Sequence, residues 1–297
     1  MIQSMSPLSP LGVEAALEYH DSPATAPKPA PKIFEEFALH DRVALVSGAN
    51  AGLGLEMAMA LSEAGCRAVY CVDIAEGPSD EFSAVQEYLT KMEGPPRRLE
   101  YVQGSVTDQA RMWEIGRMIG DKEGRFDVCV AAAGILKENM DCLTYPADTF
   151  KQVLDVNTNG VLYTAQAAGQ QMVRFGTPGS IVLIASMSGS ITNKDHAWVS
   201  YNTSKSAVLQ MGRSMACELG ESKIRVNTLS PGHIYTKLTS KYLDGQPQLL
   251  KKWSDLNPLH RLGRADEMRG VVTWLASDAS SYCTGSDILV CGGHHSW

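Results

Sequence analysis

The chain has 297 residues, 44% hydrophobic and 20% charged, with 26 Lys and Arg against 33 Asp and Glu. This length suits one large domain or two small ones, and a formal charge of −7 without any Lys/Arg cluster argues against a nucleic-acid partner. Seven cysteines with no C-x-x-C pair, several inside apolar runs, read as reduced, small core residues of a cytoplasmic protein rather than a disulfide frame or a zinc site.

Six of the 14 prolines fall in the first 31 residues, so residues 1–35 are expected to form a Pro-rich, extended and mobile arm. It has no basic segment leading into an apolar core, so neither a secretory signal nor a mitochondrial presequence is expected. Arg42 to Ser47 reads as a strand, followed by glycines and a helix over Leu53 to Ala64. The pattern repeats: strand Cys66 to Ile74, helix Ser79 to Met92, strand Leu99 to Gln103, a helix after Thr107, strand Phe126 to Ala131 and one long helix around Thr149 to Phe175. Strand Ser180 to Ala185, helix Val199 to Leu219, strand Ile224 to Leu229, helix Asp266 to Ala276 and strand Ile288 to Val290 complete it. Strands that are continuously apolar and alternate with helices indicate a parallel sheet covered on both faces. The expected fold is α/β: a single-domain, Rossmann-type doubly wound sheet of about seven strands over residues 36–297. The longest uncharged stretch, Arg174 to Lys194, is broken by Gly, Pro and Ser, which excludes a membrane helix there.

The first strand leads into Gly48-Ala49-Asn50-Ala51-Gly52-Leu53-Gly54. Glycines between strand and helix permit a tight turn and let backbone N–H groups approach a pyrophosphate at the helix end. Asp73 closes the second strand nineteen residues past Gly54, near the spacing of an acid that binds the adenosine ribose. Its carboxylate repels a 2′-phosphate, and neither the glycine turn, where Asn50 stands, nor Ile74-Ala75-Glu76 offers a base. NAD is therefore preferred over NADP.

Tyr201 and Lys205 are four residues apart, hence neighbours on one helix face. A cation beside a phenol favours the phenolate, and a phenol tuned in this way can exchange a proton with an alcohol while hydride moves. Ser186, just past the fifth strand, lies where its hydroxyl can steady the reacting oxygen.

Taken together, Gly48/Gly52/Gly54, Ala131 to Gly134, Asn157, Ser186, Tyr201/Lys205, Arg225-Val226-Asn227, Ser230-Pro231-Gly232 and the Gly285 to Gly293 segment resemble the short-chain dehydrogenase/reductase family over residues 39–297. The resemblance implies a catalytic tetrad. Ser186 positions the carbonyl, Tyr201 is the acid/base, Lys205 lowers its pKa and binds the nicotinamide ribose, and Asn157 holds a relay water. It also implies cofactor contacts from Gly48, Asn50, Gly52, Leu53, Gly54, Asp73, Ile74, Ser105, Val106, Ala132, Ala133, Gly134, Tyr201, Lys205, Pro231 and Gly232, with Ile234 and Thr236 at the nicotinamide amide, and a homotetramer.

Two features depart from the family pattern: Ala131 and Ala132 replace frequent asparagines, and Ser105 replaces an Asp that binds adenine. Ser188 lies at the commoner interval before Tyr201, whereas Ser186 lies three residues before a glycine, as the family serine does; Ser186 is preferred. More loosely, the Ser-Met-Ser-Gly turn and the terminal Trp297 look similar to fungal polyol dehydrogenases and ketose reductases. The expected activity is therefore interconversion of a secondary alcohol and a ketone, with a polyol/ketose pair first. A ketoreductase of secondary-metabolite or acyl-carrier substrates is the alternative, which would use Lys237, Lys241, Lys251 and Lys252 for docking. An epimerase or dehydratase lacks support, because the chain has no additional substrate domain, and a non-catalytic nucleotide-binding scaffold is the reading from another class. Residues 233–258 are expected to form a substrate lid, with Tyr235, Tyr242, Trp253 and Leu256 available to line it. His294-His295 has no sequence-adjacent partner for a metal, and none is expected.

Overall fold

The computed structural model describes residues 11–25, 28–236, 239–240 and 243–297. Its centre is a seven-stranded sheet in the order β3-β2-β1-β4-β5-β6-β9, every pairing parallel. The strands are β1 Val43–Ser47, β2 Ala68–Asp73, β3 Arg98–Gln103, β4 Val128–Ala131, β5 Gly179–Ile184, β6 Ile224–Pro231 and β9 Asp287–Val290. The short β7 Ile234–Tyr235 pairs with β8 Gly263–Arg264 outside this sheet. Because β1 is flanked by β2 and β4, the winding reverses between β1 and β4, and such a reversal opens a crevice at the carboxyl ends of the strands.

All five residues of β1 are buried, and they alternate between two cores. Ala44 and Val46 face α3 Gly52–Glu63, α4 Asp80–Thr90 and α10 Arg269–Ala276. Val43 and Leu45 face α5 Gln109–Glu123, α7 Gly160–Phe175 and α8 Val199–Leu219. Burial on both faces is why the strand sequences lack an apolar/polar alternation.

Several local expectations are revised. The predicted helix over 149–175 is two helices, α6 Ala147–Leu154 and α7, joined by a π turn at Asp155–Asn159. Within that turn Asn157 is wholly buried and hydrogen-bonded, which a regular helix alone does not foretell. In the stretch expected to be extended, α1 Gly12–Asp21 is helical between Pro10 and Pro23, although none of its residues is buried. The proline-free run containing Ala15, Ala16, Leu17 and Glu18 has strong helix formers. Cys142 and Cys217 are exposed rather than core residues. No helix among the described residues is long and apolar enough to cross a membrane.

Candidate active site

A cleft of about 530 Å³ runs along the carboxyl ends of the strands. At one end is the glycine turn. Gly48 and Gly52 have φ of +65° and +62°, the left-handed region that L side chains rarely enter. A Cβ on Gly54 would sit 2.2 Å from the Gly48 carbonyl oxygen, so the turn closes onto the first turn of α3 only with glycine there. A Cβ on Gly52, by contrast, would meet nothing within 4 Å, and Gly52 lines the cleft. No side chain caps α3, leaving its first N–H groups and positive dipole end to face that space. This cradle fits a pyrophosphate.

Asp73 reaches the same wall from the end of β2, and its two oxygens accept the Asn50 N–H at 3.0 Å and the Ile74 N–H at 2.8 Å. Asn50 itself does not line the cleft. Its amide donates to Gly77 O at 3.2 Å and accepts from Ser79 N at 2.7 Å, so it ties the glycine turn to the loop after β2. Leu53, Ile74, Ser105, Val106, Ala132, Ala133, Gly134, Pro231, Gly232, Ile234 and Thr236 all line the cleft, as do Ser186, Tyr201 and Lys205.

Midway along the cleft, Lys205 Nζ donates to the Ile184 carbonyl at 2.8 Å and lies 5.7 Å from the centre of the Tyr201 ring. Burial lowers the Lys205 pKa from 10.5 to about 8. Burial raises that of Tyr201 above its ordinary value, opposed by a hydrogen bond with the Ser186 side chain. The expected depression of the phenol pKa by Lys205 is therefore not what dominates here. Ser188 is turned elsewhere, its hydroxyl accepting from Asn193 Nδ2 at 2.6 Å. Asn157 lies behind the cleft wall, its Oδ1 accepting from Ile135 N at 2.8 Å and its Nδ2 donating to Ile135 O and Ser204 Oγ at 2.9 and 3.1 Å. With those bonds made, its side chain braces α8 against the loop after β4 and presents no free donor to a water.

The far end is walled by Trp198, His233 and Trp253. Sequence alone places Trp253 in the lid but gives no role to Trp198, His196 or the His233 ring, because the loop holding His196 and Trp198 and the loop holding His233 lie more than thirty residues apart with no shared spacing. Of the other lid candidates, neither Tyr235 nor Leu256 lines the cleft, the Tyr235 hydroxyl donating instead to Asp244 at 2.8 Å. Tyr242, Lys237 and Lys241 lie outside the described residues. His295 Nδ1 faces Cys291 Sγ, four residues before it, at 3.3 Å, and His294 Nδ1 lies 3.1 Å from Asn257 Oδ1.

A family profile described as Enoyl-(Acyl carrier protein) reductase matches residues 48–295. A sorbose reductase of Schizosaccharomyces pombe is 36% identical over 258 residues, 87% of this chain and 97% of the relative. A ribulose-forming D-arabinitol 2-dehydrogenase of Candida tropicalis is 32% identical over 273 residues, 89% of this chain and 96% of the relative. The crystal structure of a short-chain type dehydrogenase/reductase from Mycobacterium marinum superposes with a TM-score of 0.80 at 35% identity, covering 88% of this chain and 98% of the other.

Proposed function

The chain belongs to the short-chain dehydrogenase/reductase family, and we propose that its cleft works on a polyol/ketose pair with NAD(H), using Tyr201, Ser186 and Lys205 on the reacting oxygen and Asn157 as their brace. The protein is an NAD(P)(H)-dependent oxidoreductase that interconverts a secondary alcohol and a ketone. The observation that carries the assignment of residues is the convergence of Ser186 and Lys205 on Tyr201, in one cleft with the glycine cradle.

When bound, the nicotinamide supplies or accepts the hydride. Gly48, Gly52 and Gly54 with the α3 N–H groups would hold its pyrophosphate, and Asp73 its adenosine ribose. The Asp73 charge and the lack of Lys or Arg along the described cleft wall other than Lys205 support NAD over NADP. In ketone reduction the Tyr201 hydroxyl donates its proton to the carbonyl oxygen as that oxygen gains charge, while the Ser186 hydroxyl donates a second hydrogen bond to it. Lys205, fixed by the Ile184 carbonyl, stabilises the phenolate left behind. Oxidation runs the same proton path backwards.

An acyl-carrier docking patch loses support from Lys251 and Lys252, which pair with Asp255 and Asp195 at 2.5 and 2.8 Å. The seven cysteines, with no C-x-x-C pair in the sequence, favour a cytoplasmic location. The family resemblance favours a homotetramer, which light scattering would check. The functional test is the absorbance of reduced nicotinamide with a polyol and ketose panel. Tyr201→Phe should lower turnover by at least roughly 100-fold with cofactor affinity retained; a variant as active as its parent refutes the assignment.

A further inference from the structure

The substrate end of the cleft is built by rings from four chain segments. Tyr201 meets Trp198 edge-on at 6.3 Å between ring centres, Trp198 meets Trp253 at 6.5 Å, and Trp253 stacks on His233 at 4.2 Å with an 11° tilt. Behind them, His196 stacks on Trp198 at 4.1 Å and accepts the Trp253 indole N–H at its Nε2, 3.1 Å away. That bond makes His196 a neutral ring with its proton on Nδ1. His294 closes the cluster edge-on to His233 at 5.2 Å.

Two properties of this wall point to a ligand. The buried His233 Nε2 lies in it without a protein partner, and so does the buried His196 Nδ1 in the ring behind it. Such atoms are rare in folded proteins and cluster where another molecule completes the bonding. Charge, meanwhile, is missing. Among the described lining residues the only Asp, Glu, Lys or Arg side chains are Asp73, at the cofactor end, and Lys205, already held by the Ile184 carbonyl. Burial pushes the His233 pKa down to about 3, so its ring is neutral at any working pH.

We propose that His233 is a specificity-determining contact that hydrogen-bonds a hydroxyl of the substrate away from the reacting carbon, with Trp198 and Trp253 packing on its C–H faces, and that the cleft thereby selects neutral polyhydroxylated compounds over their carboxylate or phosphate counterparts. A neutral imidazole offers one donor and one acceptor, which is what a hydroxyl needs. A carboxylate buried against the same wall would find, among the described lining residues, no Lys or Arg besides Lys205. This inference rests on the polyol/ketose reading.

The test is steady-state reduction by the full chain of three probes, sorbose, cyclohexanone and ketogluconate, for the parent, His233→Phe and His233→Asn, with NADH affinity measured by fluorescence as a check on folding. The parent should reduce sorbose far better than ketogluconate. His233→Phe should lower kcat/KM for sorbose by about tenfold or more while moving that for cyclohexanone by less than about threefold, and His233→Asn, which keeps a donor and an acceptor, should recover much of the loss. Equal losses on sorbose and cyclohexanone, or none on sorbose, overturn the role of His233 and leave the polyol reading standing. A parent that reduces ketogluconate as well as sorbose overturns the selection for neutral substrates. A parent that reduces cyclohexanone but no neutral ketose overturns the polyol reading and this inference together.

Discussion

Replacing Lys205 with methionine should make the protein more stable and stop its chemistry. Lys205 is only 4% exposed, and burial takes its pKa from 10.5 to about 8. At about 1.4 kcal/mol for each tenfold change, holding the charged form in that site costs about 3 kcal/mol. Methionine fills a similar volume without charge but forfeits the bond to the Ile184 carbonyl, worth about 1 kcal/mol, leaving a net gain of about 2 kcal/mol at pH 7. The pH dependence is specific. Folded Lys205 binds its proton less tightly than unfolded Lys205, so the penalty is fully present below about 8, shrinks as pH rises from there, and vanishes above 10.5, where the side chain is neutral in both states. Urea unfolding without cofactor, at one protein concentration, should therefore show Lys205→Met ahead of its parent at pH 7 and the gap closing above pH 8. A variant that is no more stable at pH 7, or a gap indifferent to pH, refutes the burial argument, and undiminished turnover by the variant refutes the catalytic one.

Asp73→Ser should raise the ratio of kcat/KM with NADPH to that with NADH by about tenfold, and an unchanged ratio in initial-rate assays would show that Asp73 does not discriminate. Gly54→Ala forces a Cβ to within 2.2 Å of the Gly48 carbonyl oxygen, a backbone atom that cannot swing away. It should cost about 1–3 kcal/mol in thermal or urea unfolding. Gly52→Ala meets open space but keeps a φ of +62°, so it should cost about 1 kcal/mol and weaken NADH binding in a fluorescence titration, because its methyl group occupies the cradle.

How far the sequence could be read depended on how local each signal was. β1, the glycines after it and Asp73 lie within one βαβ unit, and Tyr201/Lys205 within one helix turn, so spacing alone located them. The π turn escaped notice because its cause is a buried amide, Asn157, bonded to Ile135 and Ser204, 22 and 47 residues away. Asn50 was assigned to the cofactor for its place among the glycines, yet its amide is used up on Gly77 and Ser79 across the turn. The substrate wall was hardest to foresee. Trp198, His233, Trp253 and His294 meet only after β6 and the lid have returned to the start of α8, and each taken singly is an ordinary loop or helix residue.

Burial pushes Tyr201 and Lys205 in opposite directions on the pH scale but towards the same outcome, a neutral phenol and a neutral amine. Ketone reduction starts from the neutral phenol, so Tyr201 is ready at every pH below its raised pKa. The phenolate it leaves is supported by Lys205 only while Lys205 keeps its proton, and that charge is lost as pH rises through about 8. Reduction measured as kcat with saturating NADH should therefore be flat in the acidic and neutral range and fall as pH passes about 8, well before the phenol itself ionises. Lys205→Arg, whose guanidinium keeps its charge throughout, should start lower because its fork is bulkier than the ammonium held by Ile184, yet the fall near pH 8 should be gone from its profile. If the Arg variant retains that fall, the titrating group is not Lys205 and the support of the phenolate comes from elsewhere in the cleft.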